Sequence, residues 1–157
     1  MIFKAKKSLG QNFLVDKNIL ILIANSTKIE KSDEIIEIGP GTGNLTEFLL
    51  KKNPKKIHLI EKDENLVNLL KNKFTKNLNI INEDILKFSK KNLFNNESII
   101  FGNLPYNISS QILVKFIINK DKFKFKKLIF MFQKELADRI LARVNSSNYG
   151  RFSILAN

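Results

Sequence analysis

The residues best suited to chemistry in this sequence each follow a short apolar run. They are the glycine-rich loop 39–43, the carboxylates Glu61 and Asp84, and the tetrapeptide Asn103–Tyr106. Glycines placed between a strand and a helix let the backbone turn tightly and approach a ligand closely. Carboxylates and an asparagine accept hydrogen bonds from hydroxyl and amino groups. Together these groups predict a site for a polar, nucleoside-like ligand.

The glycine loop does not follow the pattern expected for a dinucleotide. That fingerprint has glycine at its first, third and sixth positions, and here the sixth position is Asn44. The Glu37 carboxylate would repel a pyrophosphate, whereas it suits a ligand that carries an ammonium and a sulfonium. The pattern Glu-x-Gly-x-Gly-x-Gly resembles the first motif of S-adenosylmethionine-dependent methyltransferases. A glycine-rich turn that binds no ligand is the simpler alternative.

The two carboxylates add specificity to this interpretation. Glu61 lies about twenty residues after the loop, where an acidic side chain accepts both hydroxyls of a ribose. Asp84 follows the third apolar run and is suited to accept from an adenine amino group. Either residue alone would more often be a solvated loop residue. With Glu37 they place three acidic residues at three successive strand ends, and this conjunction predicts one nucleoside site.

The tetrapeptide supplies groups that would activate an exocyclic amine. Asn103 offers a side-chain oxygen and Leu104 a main-chain carbonyl, and acceptors aimed at the amine hydrogens favour its reactive, pyramidal form. Pro105 stiffens the turn, and Tyr106 offers a face on which a flipped-out base can stack. A simple turn followed by a helix cap at Ser109 is the alternative.

The elements that must position these residues alternate between strands and helices. The apolar runs predict strands at Glu34–Ile38, Ile57–Ile60, Leu78–Ile81, Ile99–Phe101 and Leu128–Phe132. Helix-period segments lie between most of them, and an earlier helix begins near Asp16, its expected N-cap. This order predicts a doubly wound, mostly parallel α/β sheet of the Rossmann-like class, which binds ligands at the carboxyl ends of its strands.

Composition limits the alternatives. The chain has 157 residues, of which 43% are hydrophobic and 27% charged, as in a globular domain with a real core. It has no cysteine and a single histidine, His58, which excludes disulfides and argues against a metal site. No apolar stretch is long enough to span a membrane. We expect a cytoplasmic protein, and we expect it to be a monomer. We expect a basic arm and helix over residues 1–31 and a methyltransferase domain over 32–157.

The net charge of +12 favours a polyphosphate partner. With 24 Lys, 20 Asn and 22 Ile, however, the composition also resembles that imposed by an A/T-rich genome, so part of the charge has no functional meaning. The candidates for RNA contact are Lys4, Lys6, Lys7, Arg139, Arg143 and Arg151. Arginine suits phosphate through its planar fork. Ion pairs with Glu135 or Asp138 are an equally good interpretation of the arginines.

Several motifs together closely resemble the small-subunit ribosomal RNA adenine N6-dimethyltransferases of the KsgA type. The matching segments are Ser8–Leu14, Glu37–Gly43, Asn103–Tyr106, Gln133–Arg139 and Tyr149–Ser153. The resemblance implies dimethylation of N6 on two adjacent adenosines near the 3′ end of small-subunit ribosomal RNA, with that RNA or a pre-ribosomal small subunit as partner. It also implies S-adenosylmethionine as the cofactor. The cofactor contacts that it implies are Asn12, Leu14, Gly39, Glu61, Asp84 and Asn103. We add Gly41 of the glycine loop to these candidates.

The sequence departs from this family at its end. Family members continue with two more strands, an aromatic motif for the target base and a helical domain, so we expect a chain truncated at Asn157. Its fifth strand would then lie at an edge of the sheet. Two alternatives stay open. One is a non-catalytic RNA-binding assembly factor or mitochondrial-type transcription factor; the other is an Erm-type large-subunit methyltransferase, although those enzymes usually have Ile at the position of Leu104.

Overall fold

The computed structural model of the chain describes residues 13–74, 78–88 and 97–156. Four residues predicted to contact RNA or cofactor, Lys4, Lys6, Lys7 and Asn12, lie outside the described residues.

The described chain alternates strands and helices as the apolar runs predict. The strands are β1 (Glu34–Ile38), β2 (Lys56–Glu61), β3 (Leu78–Asn82), β4 (Ser98–Asn103) and β5 (Phe125–Met131). The helices are α1 (Lys17–Ala24), α2 (Asn44–Leu50), α3 (Glu64–Lys73), α4 (Ser109–Ile118), α5 (Lys134–Ile140) and α6 (Arg151–Ala156). The first strand has the predicted bounds. The fifth begins three residues earlier than predicted, because Phe125 pairs with Ser98 although lysines follow it in the sequence.

All five strands run parallel, in the order β3-β2-β1-β4-β5. The last residue of β1, Ile38, pairs with Ile60 of β2 on one side and with Gly102 of β4 on the other. The strand order reverses at this point, and such a switch is where doubly wound sheets bind ligands. The prediction of a doubly wound α/β fold is confirmed. Within the described sheet, β5 lies at an edge, as expected.

Each face of the sheet carries its own core because successive side chains of a strand point to opposite faces. On one face, Ile35 and Leu59 pack with the α1, α2 and α3 residues Leu20, Leu49 and Leu70. On the other face the buried cluster includes Ile36, Ile38 and Ile100 from the strands, Ile112 and Phe116 from α4, and Ile85 and Phe88 from the turn after β3. Buried strands of this kind are continuous apolar runs in the sequence, which explains why they could be located there.

Helix α1 belongs to the first of these cores. Asp16 caps it as predicted, since its Oδ1 accepts hydrogen bonds from the backbone N–H groups of Asn18 and Ile19, at 2.8 and 3.3 Å. Leu20 and Ala24 are buried against the sheet side. The division between residues 1–31 and 32–157 stays a prediction. Across the described ranges, no helix is both long and apolar enough to cross a membrane.

Candidate active site

The carboxyl ends of β1, β2, β3 and β4 open into a single cleft. Most of the predicted residues line it: Leu14, Gly39, Gly41, Glu61, Asp84, Asn103, Leu104 and Pro105. The strand order arranges their groups in a row, from Asp84 after β3, through Glu61 at the end of β2 and the glycine loop after β1, to Asn103 at the end of β4. Three steps between neighbouring strands make this row about 14 Å long.

The glycine loop keeps the centre of this row open. Gly39 has a φ of +64°, a conformation that side chains disfavour, and its N–H donates a 2.9 Å hydrogen bond to the carbonyl of Ile60. A Cβ at Gly39 would have a single neighbour, the Asn103 carbonyl oxygen at 4.0 Å. Gly43 serves packing instead, because a Cβ there would lie 2.6 Å from Phe74 Cε2. Gly43 does not line the cleft.

Asn44, the residue that breaks the dinucleotide pattern, has a structural role. Its Nδ2 donates a 2.8 Å hydrogen bond to the carbonyl of Leu14, thirty residues earlier in the chain. This contact ties the segment before α1 to the first residue of α2 and holds Leu14 at the cleft. A glycine at position 44 could not make it.

Glu61 is buried and held by two backbone donors. Its Oε2 accepts from the N–H of Gly41 at 3.2 Å, and its Oε1 accepts from the N–H of Asp63 at 2.9 Å. Burial raises the pKa of Glu61, and the hydrogen bonds from these N–H groups oppose that shift. A carboxylate oxygen accepts more than one hydrogen bond. Glu61 can therefore still accept from a pair of ligand hydroxyls.

Glu37 forms part of the cleft wall beneath the glycine loop. It is almost fully buried in β1, and Thr46 of α2 donates a 2.7 Å hydrogen bond to its Oε2. Burial raises the pKa of Glu37 to about 7, against the effect of the Thr46 hydrogen bond and with a contribution from the nearby Glu61 charge. A cationic group bound in the cleft would favour the ionised form.

Asp84 is held in place from two sides. Its Oδ1 accepts from the N–H of Leu86 at 2.9 Å, and its Oδ2 lies 2.9 Å from the Lys62 ammonium. Burial raises the pKa of Asp84, but the hydrogen bonds from Lys62 and Leu86 and the lysine charge outweigh it, so the pKa lies below its ordinary value. Lys62 also lines the cleft and was not predicted. Lys62 follows Glu61 at the end of a predicted strand, and this position could have identified it as a cleft residue.

The side chains of the tetrapeptide lie in different environments, namely the cleft, the core and the solvent. Asn103 and Pro105 line the cleft, Leu104 is buried in the core beneath α4, and Tyr106 is 46% exposed. Gly102 makes room for this arrangement, because a Cβ there would lie 2.7 Å from Leu104 Cδ2. Tyr106 is thus accessible to a base from solution, as its predicted role requires.

The turn after the tetrapeptide ends one residue earlier than predicted. Ser109 is the first residue of α4 and Ile108 occupies the cap position, so Ser109 is not the helix cap that the alternative interpretation of this turn assumed. The Ser109 hydroxyl instead donates a 3.2 Å hydrogen bond to the carbonyl of Tyr106 and closes the turn. Asn107 lies within this turn and lines the cleft. It was missed although it directly follows the tetrapeptide.

The predicted arginines lie away from the cleft. Arg139, Arg143 and Arg151 are exposed on the segment that carries α5 and α6. The Ser153 hydroxyl donates a 2.6 Å hydrogen bond to the Arg139 carbonyl and joins the two helices. Asp138, proposed as an alternative arginine partner, pairs with Lys134 at 3.0 Å. Their role in RNA contact stays a prediction.

Comparison with known proteins identifies the family of the chain. The model of the family described as "Ribosomal RNA adenine dimethylase" matches residues 2–157, almost the whole chain. The chain belongs to this family. Membership in the ribosomal RNA adenine dimethylases confirms the resemblance inferred from the motifs.

Named relatives of the chain agree with that membership. It is 54% identical over 158 residues to a ribosomal RNA small subunit methyltransferase A of Pelagibacter ubique, covering 100% of this chain and 60% of the relative. A solved dimethyladenosine transferase from Plasmodium falciparum superposes with a TM-score of 0.79 at 36% identity, covering 92% of this chain and 51% of that one. The 23S rRNA methyltransferase ErmE superposes with a TM-score of 0.75 at 25% identity, covering 92% and 55%. The chain spans about three fifths of the length of its curated relatives.

Proposed function

We propose that the chain carries the cofactor-binding and catalytic part of an S-adenosylmethionine-dependent enzyme. Its reaction is the dimethylation of N6 on two adjacent adenosines near the 3′ end of small-subunit ribosomal RNA. One observation carries the proposal: a single cleft holds the acidic residues of β1, β2 and β3 together with the Asn103–Pro105 turn of β4. This arrangement sets acceptors for a nucleoside directly beside acceptors for an amine.

The residues present fit the proposed cofactor. Asp84 is suited to accept from an adenine amino group, Glu61 from ribose hydroxyls, and Glu37 attracts an ammonium near the open space at Gly39. S-adenosylmethionine supplies a methyl group on a positively charged sulfur. The acidic lining of the cleft complements that charge, whereas it would repel a pyrophosphate.

The remaining groups act on the target adenine. The Asn103 side-chain oxygen and the Leu104 carbonyl accept from the hydrogens of the N6 amine, which favours its pyramidal, nucleophilic form. Tyr106 stacks on the base from the exposed side of the turn, and Pro105 holds the turn rigid. A strong base is unnecessary because the product ammonium is itself acidic. Alignment of this kind can contribute about 7–11 kcal/mol to lowering a barrier.

The proposal also specifies the RNA partner and the residues that contact it. Small-subunit RNA, or a pre-ribosomal small subunit, is favoured over large-subunit RNA because the relative named for the small subunit is 54% identical and ErmE only 25%. We assign RNA contact to Lys4, Lys6, Lys7, Arg139, Arg143 and Arg151, in a cytoplasmic monomer.

Calorimetry and a methylation assay test this proposal together. The chain is expected to bind S-adenosylhomocysteine. The enzyme of which it is a part is expected to transfer labelled methyl groups to 3′-end adenosines of small-subunit RNA. Asn103→Ala should lower methyl transfer at saturating S-adenosylmethionine by about a hundredfold. Asn68→Ala, at an exposed position of α3, is the matched control and should retain full activity.

Four outcomes would contradict the proposal. Failure of the chain to bind S-adenosylhomocysteine would exclude the cofactor. Cofactor binding without methyl transfer by the enzyme that contains the chain, and an Asn103→Ala variant with full function in cells, would each favour the non-catalytic RNA-binding alternative. Methylation of large-subunit RNA in preference to small-subunit RNA would favour the Erm-type alternative.

A further inference from the structure

Lys115 makes an unusual set of contacts on α4. Its ammonium donates hydrogen bonds to three backbone carbonyls, those of Ile85, Leu86 and Phe88, each at 2.8 Å. An ammonium has three N–H donors, so this set uses all of them. The three acceptors belong to the turn that follows β3, and that turn begins with Asp84.

The turn is held by Asp84 and Lys115 together. Asp84 Oδ1 accepts from the N–H of Leu86, while Lys115 donates to the carbonyl of the same residue. A further hydrogen bond of 2.9 Å joins the N–H of Lys87 to the Asp84 carbonyl. The orientation of the Asp84 carboxylate is therefore linked, through the peptide groups of Leu86, to the Lys115 ammonium.

Apolar packing brings the turn to α4 but does not orient its peptide groups. Ile85 and Phe88 are buried in the same cluster as Ile112 and Phe116, which flank Lys115 on α4. Such contacts are non-directional, whereas hydrogen bonds require a defined donor and acceptor geometry. Burial lowers the pKa of Lys115, and the charges of Asp84 and Glu83 oppose that shift.

We propose that Lys115 is a positioning residue for the adenine end of the cofactor site. It orients the turn after β3 so that Asp84 meets the adenine amino group. Because α4 begins six residues after Asn103, Lys115 also connects this turn to the helix that follows the catalytic tetrapeptide. The inference rests on the proposed function, since it assumes that the cleft binds an adenosine.

The test compares two ligands that differ only in the adenine amino group. One is S-adenosylhomocysteine, and the other is its analogue with hydrogen in place of that amino group. Lys115→Met should weaken binding of S-adenosylhomocysteine about tenfold, the effect of misplacing one hydrogen bond to a charged group. Binding of the analogue should change much less, because it makes no amino contact with Asp84. Equal losses for both ligands, or no loss for either, would overturn the inference.

Two further variants separate positioning from a general effect on folding. Lys122→Met removes an exposed lysine close by in the chain and should leave both affinities unchanged. Lys115→Arg keeps the charge, but its planar fork cannot reproduce three converging bonds, so it should show the same selective loss in weaker form. If Lys115→Met does not fold, the inference is tested by Lys115→Arg alone. That variant should weaken binding of S-adenosylhomocysteine more than binding of the analogue. Failure of the unaltered chain to bind S-adenosylhomocysteine would instead contradict the proposed function.

Discussion

The backbone N–H of Gly41 donates a 3.2 Å hydrogen bond to Glu61 Oε2. This bond joins the loop after β1 to the carboxylate that ends β2, across twenty residues of sequence. The glycine loop and the proposed ribose-binding residue therefore form one unit, in which the backbone orients the side chain. Ligand binding should depend on the charge of Glu61, and folding should depend on its two acceptor oxygens.

Glu61→Gln is expected to change both properties. Loss of charged hydrogen bonds to ligand hydroxyls should weaken S-adenosylhomocysteine binding roughly ten- to hundredfold. Burial raises the pKa of Glu61 and so disfavours its ionised form, but Gln has a single acceptor oxygen and leaves one of the two bonded backbone N–H groups without its partner. The variant should therefore also lose about 1–2 kcal/mol of stability. Calorimetry and thermal unfolding measure the two effects. Asp121→Asn removes an exposed negative charge as a control, and undiminished affinity in Glu61→Gln would rule out its ribose role.

Glu37 should make the stability of the ligand-free protein depend on pH. Its pKa is raised from 4.5 to about 7, so the folded state binds this proton more tightly than the unfolded state. The resulting stability is fully present below pH 4.5 and is lost as the pH rises to about 7. The loss amounts to at most about 3 kcal/mol.

Glu37→Gln should remove this dependence. The free energy of unfolding, measured by urea denaturation between pH 5 and pH 8, should fall less steeply in the variant than in the unaltered chain. Glu135→Gln, at an exposed position of α5, should leave the pH profile unchanged. Parallel profiles for Glu37→Gln and the unaltered chain would show that Glu37 titrates normally.

Two alanine substitutions in the glycine loop should both destabilise the fold, but for different reasons. Gly43→Ala would place a Cβ 2.6 Å from Phe74 Cε2 and 2.9 Å from Leu70 Cδ2 at a φ of +77°, and should destabilise the fold by about 3 kcal/mol. Gly39→Ala meets no such contact, so only the backbone conformation costs stability, about 1–2 kcal/mol. Its Cβ occupies the cleft, however, and should impair ligand binding. Thermal unfolding and calorimetry on both variants distinguish the packing role of Gly43 from the role of Gly39 in keeping the cleft open. A Gly43→Ala variant as stable as the unaltered chain would contradict the packing argument.

Asn44→Ala tests the bond to Leu14. Loss of that hydrogen bond should cost about 1 kcal/mol, partly offset by the higher helix propensity of alanine. Asn68→Ala changes the same residue type within α3. Its free energy of unfolding should rise through the higher helix propensity of alanine alone. The difference in unfolding free energy between the two variants therefore measures the Leu14 contact, and equal values would mean that it contributes nothing.

The sequence alone determined which residues form the strands and which polar groups follow them. Parallel strands buried on both faces are rich in apolar residues, and the three isoleucines of Glu34–Ile38 allowed that strand to be located residue for residue. Strand β5 was placed less well, because Lys126 and Lys127 interrupt its apolar pattern. Their ammonium groups bond to Asp33 and Thr27, contacts that span 93 and 100 residues. Local periodicity carries no information about such distant partners.

Only the tertiary structure decided the order of groups along the cleft. The sheet places β3, β2, β1 and β4 side by side, which sets Asp84, Glu61, Gly39 and Asn103 in a row that differs from their order in the chain. The same packing brings Lys62 to Asp84 and Lys115 to the turn after β3. Hydrogen bonds act over about 3 Å, and residues more than twenty positions apart reach that distance only when the sheet and its covering helices bring them together.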